Sequence, residues 1–142
     1  MIGIVIVAHG GLAKEFRDAV EHVTGAQQAL IDIAIGPECD RVAKQAEICA
    51  AADKVDQGHG VVIVTDMFGG SPSNLSLRAC SPGSRRIVYG ASLPLLIKLV
   101  QARGRPLDAA VDMALMAGHK YMNCFETTPN KDLVAAVGQG KH

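Results

Sequence analysis

Near its amino terminus the chain reads IGIVIVAHGG over residues 2–11, an apolar run that ends in a histidine and two glycines. The run is short, continuous and rich in β-branched residues, which is typical of a strand buried on both faces of a parallel sheet. His9 therefore lies where a strand ends and the chain turns. Open α/β sheets bind their ligands at this edge. The stretch thus predicts a fold class and a candidate functional residue together.

A second apolar run, residues 61–65, ends in a similar way and is followed by DMFGGSPSN over residues 66–74. Asp66 comes directly after this predicted strand. Ser71-Pro72 is typical of a helix start, because the hydroxyl can cap the helix and proline fits its first position. An imidazole and a carboxylate therefore follow two strands of one predicted sheet.

Strand and helix patterns alternate along the chain, which favours an α/β fold: a doubly wound, mostly parallel sheet with helices on both faces. We expect strands at residues 2–8, 30–35, 61–65 and 86–89, a possible edge strand at 121–125, and helices at about 12–23, 40–55, 71–80, 94–102 and 107–117. The inner face of the second helix is predicted to carry Val42, Ala43, Ala46, Cys49 and Ala50. We expect one domain over residues 1–142, with 127–142 as a loosely determined tail. The strand order 2-1-3-4 is assumed from folds of this class.

That order makes the first and third strands neighbours, about 4.8 Å apart, and predicts that His9 and Asp66 lie within hydrogen-bonding reach. A carboxylate bound to one ring nitrogen fixes the tautomer of a histidine and stabilises positive charge on its ring. The amides of Gly69 and Gly70 and the helix start at Ser71 suit a phosphoryl group. The chain has no GxxxxGK[ST] motif, so a nucleoside triphosphate is not expected as the phosphate source.

Composition excludes several classes of protein. The chain has 142 residues, 49% of them hydrophobic, and this content argues against intrinsic disorder. Its formal net charge is zero and it has no long basic run, so nucleic-acid binding is not expected. The first apolar run is too short to span a membrane or to form a signal peptide. The four cysteines form no close pair, which is typical of reduced thiols and predicts a cytoplasmic protein.

Other interpretations of the same residues remain. His9, Asp66 and His59 could form a zinc site, but no pair of them has metal-binding spacing, so neither a metal nor an organic cofactor is expected. A response-regulator receiver would use Asp66 as its phosphoryl acceptor, yet it needs an acidic pair where His9-Gly10-Gly11 stands. A regulatory protein that reports its own phosphorylation to a partner also fits, and the sequence does not separate it from a protein that passes the phosphoryl group on.

Three motifs carry a resemblance to a known family. HGGLA at residues 9–13, DMFGGSPSN at 66–74 and GASLP at 90–94 together resemble the IIA component of the mannose-family bacterial phosphotransferase system (PTS). The resemblance covers about residues 1–117. It implies that His9 accepts a phosphoryl group from phospho-HPr and passes it to a IIB partner in sugar uptake, with Asp66 orienting the ring. Gly69, Gly70 and Ser71 would bind the phosphoryl group, and the protein would be a cytoplasmic homodimer without a membrane-inserted segment.

Overall fold

The computed structural model describes residues 1–67 and 84–127. It contains one parallel sheet of four strands in the order β2-β1-β3-β4. The strands are β1 (Gly3–His9), β2 (Leu30–Ile35), β3 (Val61–Thr65) and β4 (Arg85–Tyr89). The helices in the described ranges are α1 (Leu12–Thr24), α2 (Arg41–Val55), α3 (Leu93–Gln101) and α4 (Leu107–Lys120). The predicted fold class and strand order are confirmed, whereas the helix predicted at 71–80 and most of the predicted tail lie outside the described residues.

Helices cover both faces of the sheet, as predicted. Alternate residues of a strand point to opposite faces, so the continuous apolar run of β1 supplies two cores. Ile4, Ile6 and Ala8 belong to the core that also includes buried residues of α1, α3 and α4. Val5 and Val7 belong to the opposite core, which α2 covers. Every residue from Ile2 to Ala8 is buried, whereas His9 is exposed.

The predicted inner face of α2 is wrong. Its buried residues are Ile48, Ala51, Ala52 and Val55, and Val42 is 77% exposed. Alanine occurs all round this helix, so small apolar residues did not mark the buried side. Ile48 and Val55 are seven residues apart, which is two helical turns, and this pair of larger residues gives the true buried stripe.

Gly3 allows α2 to approach β1 closely. A Cβ atom added at Gly3 would lie 2.3 Å from the carbonyl oxygen of Val55 and 2.6 Å from its Cγ2. These distances are far inside van der Waals contact, and one of the two atoms belongs to the backbone. The glycine in the first strand is therefore required by packing against the last turn of α2.

Arg103 joins the loop between α3 and α4 to the start of the sheet. Its side chain is buried, and its guanidinium donates hydrogen bonds to the carbonyl oxygens of Ile2 (2.8 Å), Gln28 (2.7 Å) and Ala29 (2.7 Å). The amide of Ile2 in turn donates to the carbonyl of Arg103 at 3.1 Å. Burial lowers the pKa of Arg103. The guanidinium thus joins three backbone carbonyls at the start of the sheet, one of them that of the buried Ile2.

The possible edge strand at 121–125 is not present. Residues 122–127 have no regular secondary structure, and 121–127 are all exposed. The amides of Tyr121 and Met122 donate to carbonyls of the last turn of α4, those of Ala117 and His119. Because α4 runs toward the edge where the strands end, the segment after it begins at the wrong edge for a further parallel strand.

Candidate active site

His9 is the last residue of β1, where the buried strand reaches the surface. Its side chain is 45% exposed, although every preceding strand residue is buried. In the register of the sheet His9 is paired with Ile35 of β2, and Val7 is paired with Thr65 of β3. The carboxyl ends of three adjacent strands therefore meet around this imidazole, and Asp66 follows immediately after one of them.

The carboxylate of Asp66 holds His9 at two points. Its Oδ2 lies 2.9 Å from the ring Nδ1 and accepts a hydrogen bond from the backbone amide of His9 at 3.1 Å. The predicted contact between the two side chains is thus confirmed. The second bond fixes the backbone as well as the ring, so one oxygen atom determines where the imidazole lies and how it is oriented.

The electrostatics of the pair favour an ionised carboxylate. Burial alone raises the pKa of Asp66, since its side chain is only 14% exposed. The hydrogen bonds from the amide and ring of His9 act in the opposite direction and outweigh burial, so the pKa of Asp66 lies below its ordinary value of 3.8. An ionised carboxylate only accepts hydrogen bonds, so Nδ1 must carry the hydrogen. The neutral ring then presents Nε2 with its lone pair.

The second oxygen of the same carboxylate has no such partner. Oδ1 of Asp66 is buried and makes no hydrogen bond within the described ranges 1–67 and 84–127. Buried carboxylate oxygens without a donor are uncommon, because removing them from water costs free energy. Oδ1 can therefore accept one more donor.

The turn after His9 leads directly into a helix. Gly10 has a φ of +57°, and its amide donates to the carbonyl of Ile35 at 3.0 Å. Gly11 is the N-cap of α1 and provides no side-chain cap. Sequence reasoning noted the glycine pair but missed the left-handed conformation of its first member, which only the backbone reveals.

Large apolar side chains are exposed at the same edge of the sheet. Leu12 in the first turn of α1 is 47% exposed, Met67 next to Asp66 is 54% exposed, and Tyr89 at the end of β4 is 55% exposed. The sequence analysis did not predict that these three side chains are exposed. What could have indicated their exposure is their position, since each of the three residues lies at or just after the end of a strand.

The remaining candidate residues are those predicted to bind a phosphoryl group and the histidine considered for a zinc site. Gly69, Gly70 and Ser71 lie outside the described residues, so their predicted role in binding a phosphoryl group stays a prediction. His59 is at the opposite edge of the sheet, where its Nδ1 lies 3.2 Å from the amino group of Met1. Zinc binding by His59 together with His9 is therefore wrong, and no group of three potential metal-binding side chains occurs in the described part of the chain.

The comparison with known families identifies the chain. Residues 3–115 match the family EIIA-man, described as PTS system fructose IIA component. The chain belongs to the mannose-family PTS IIA components. This confirms the family that the three motifs resemble. Among the described residues, none of the helices is long and apolar enough to cross a membrane.

Individual IIA proteins show the same relationship. The PTS system mannose-specific EIIAB component of Escherichia coli K12 is 26% identical over 133 residues, which are 90% of this chain and 41% of that protein. The chain therefore spans about two fifths of this relative. The PTS IIA protein associated with the fucose utilization operon of Streptococcus pneumoniae has a TM-score of 0.74 at 26% identity, covering 85% of this chain and 91% of that one. The mannose/sorbose specific IIA subunit of Enterococcus faecalis has a TM-score of 0.80 at 17% identity, covering 92% and 98%, and thus shares the fold.

Proposed function

We propose that Nε2 of His9 accepts a phosphoryl group from phospho-HPr and passes it to a IIB partner. The observation that carries this proposal is the 2.9 Å contact between Nδ1 of His9 and Oδ2 of Asp66. With the ring hydrogen on Nδ1, where it can be donated to the carboxylate, Nε2 keeps its lone pair and is the proposed nucleophile. As the new Nε2–P bond forms, the bond between phosphorus and its donor atom in phospho-HPr breaks, and the electron pair of that bond returns to the donor atom.

Asp66 is proposed to stabilise the ring during this transfer. Bond formation at Nε2 places positive charge on the imidazole, and the carboxylate beside Nδ1–H attracts that charge. No proton has to leave Nε2. Positioning and charge stabilisation are the main requirements of phosphoryl transfer, and the pair supplies both.

The surroundings of His9 favour a protein as donor and acceptor. Leu12, Met67 and Tyr89 are exposed apolar side chains at the same edge, and apolar groups exposed around a reactive residue suit a protein interface. Family membership points to HPr and IIB as the two proteins. We propose that the chain acts in the cytoplasm as a IIA domain.

Gly69, Gly70 and Ser71 are proposed to bind the phosphoryl oxygens. They follow Asp66 by three to five residues, so chain connectivity keeps them within about 10–18 Å of it. Backbone amides of glycines and a hydroxyl at a predicted helix start are suitable donors to an anion. We propose that this set replaces a metal ion, and that transfer needs no cofactor.

The test uses purified phospho-HPr that has been separated from its own kinase, with EDTA added after the separation. The wild-type chain should acquire an acid-labile, base-stable label and pass it to a purified IIB protein. His9→Ala should fold and acquire no label, whereas the control His59→Ala should be labelled at the wild-type rate. Labelling of His9→Ala at another residue would refute the assignment. Transfer that stops in EDTA and returns with added metal would refute the metal-free mechanism.

A further inference from the structure

Gly10 has a backbone conformation that other residues rarely adopt. Its φ of +57° lies in the left-handed region, which glycine enters freely because it has no Cβ atom. Its amide donates to the carbonyl of Ile35 in β2, while the preceding amide, that of His9, donates to Asp66 beside β3. Two consecutive amides therefore tie the end of β1 to the elements on its two sides.

Space does not explain the glycine at this position. Among residues 1–67 and 84–127, no atom would lie within 4 Å of a Cβ atom added at Gly10, and the same is true at Gly11. The two glycines differ in conformation, because Gly11 has a φ of −90°, which any residue adopts. Adding one methyl group at each position thus compares a left-handed with an ordinary backbone conformation at two adjacent residues of one turn.

Strain at Gly10 would be transmitted toward His9. On the far side of the turn, Ala13 and Val20 hold α1 in the core and are 0% and 1% exposed. On the near side, the His9 side chain is 45% exposed and is oriented by Asp66. The less constrained side yields first, so a change of φ at residue 10 is expected to rotate the exposed end of β1, at His9, and move the ring away from the carboxylate.

We propose that Gly10 is a positioning residue of this site: its left-handed conformation keeps Nδ1 of His9 on Asp66 and Nε2 directed outward. The proposal rests on the proposed function for its effect on phosphoryl transfer. Its effect on the ring is independent of any donor protein, so the two can fail separately.

An alanine with a left-handed backbone conformation already occurs in this protein, so the Gly10→Ala variant is expected to fold. Ala29 has a φ of +51°, and its carbonyl accepts hydrogen bonds from Ile4 and Arg103. These bonds hold Ala29 in place. At Gly10 the conformation is followed by an exposed turn, so we expect alanine there to leave the left-handed region.

The experiment compares Gly10→Ala with Gly11→Ala as the matched control, and with Gly10→Asn, because asparagine tolerates the left-handed region. The first readout is the nitrogen NMR spectrum of the His9 ring, assigned with His9→Ala. The second is the rate of transfer from phospho-HPr. In Gly10→Ala we expect loss of the Nδ1–H signature and a roughly tenfold to hundredfold slower transfer, as for other misplaced catalytic groups. Gly11→Ala should match wild type, and Gly10→Asn should recover most of both properties.

Two results would overturn the proposal. In one, Gly10→Ala is less stable but keeps the wild-type ring spectrum and rate, which would mean that residue 10 stays left-handed and only stability suffers. In the other, the defects do not follow the tolerance for a left-handed φ: Gly11→Ala is impaired as strongly as Gly10→Ala, or Gly10→Asn is no better than Gly10→Ala. The conformation of residue 10 would then not be the cause of the lost ring signature and the slower transfer. If the wild-type chain accepts no phosphoryl group, the proposed function fails while the ring spectra still test Gly10.

Discussion

Replacement of Asp66 by asparagine removes a charge and keeps an acceptor oxygen. In the wild-type chain one oxygen of Asp66 accepts from both the amide and the ring of His9. The carboxamide oxygen of Asp66→Asn can accept the same two hydrogen bonds. His9 is thus expected to stay close to its wild-type position, and the variant isolates the contribution of the negative charge.

The size of the effect follows from Coulomb's law. A positive charge on the imidazole and the carboxylate, about 4 Å apart, attract each other by about 1 kcal/mol in water and about 4 kcal/mol at an effective dielectric constant of about 20. The site lies between these limits, since the Asp66 side chain is 14% exposed and that of His9 is 45% exposed. If most of the charge develops in the transition state, the rate of transfer should fall by about fivefold to about a thousandfold.

The assay is rapid-quench measurement of label transfer from purified phospho-HPr to the chain. Asp112→Asn is the control, because Asp112 is an exposed carboxylate on α4. Asp66→Ala should be slower than Asp66→Asn, since it also removes the acceptor for the backbone amide of His9. A wild-type rate in Asp66→Asn, with the His9 ring signals unchanged, would show that the charge of Asp66 makes no contribution to transfer.

Three further outcomes are expected. Because the folded pKa of Asp66 lies below its ordinary value of 3.8, the stabilisation it provides is complete above that value and is lost as the pH falls through the folded pKa. Urea unfolding should therefore show a stability difference between wild type and Asp66→Asn that is largest at neutral pH and shrinks in acid. Arg103→Met should lower the free energy of unfolding by about 2–4 kcal/mol, because three backbone carbonyls, among them that of the buried Ile2, lose a hydrogen bond from a charged donor, whereas Arg105→Met in the same loop should have little effect. We also propose that the chain forms a dimer, since Met122 and Phe125 are 79% and 56% exposed; sedimentation at tens of micromolar as a 14.9 kDa monomer would contradict this.

Much of the fold could be predicted from the sequence because β1 and β3 consist almost entirely of apolar residues. Continuous β-branched runs have few alternatives to a strand buried on both faces, so β1 and β3 were predicted to within one residue at each end. The wrong predictions concern segments with weaker patterns. Alanines on all sides of α2 concealed its buried face, and the short apolar segment at 121–125 matches a strand by composition although it begins at the edge where the strands end.

The candidate site was predictable in its chemistry and less so in its geometry. A histidine and an aspartate after two strands required only the strand order to become neighbours, and their contact is confirmed at 2.9 Å. The second hydrogen bond, from the His9 amide to Asp66, depends on where the backbone of β1 ends. The φ of Gly10 likewise depends on how α1 packs. Both features are determined by tertiary packing, and a sequence pattern does not predict them.

The hydrogen bonds of Arg103 also affect the order in which the chain can fold during its synthesis on the ribosome. Ile2 and Arg103 are 101 residues apart, yet each donates a hydrogen bond to the carbonyl of the other. The first strand of the sheet is thus completed by a loop that is made long after it. Until that loop has left the ribosome, the carbonyls of Ile2, Gln28 and Ala29 lack the hydrogen bonds that Arg103 donates to them. The nascent chain must therefore keep its most apolar segment, and the histidine at its end, incompletely anchored for most of its synthesis, a period in which chaperones can bind it.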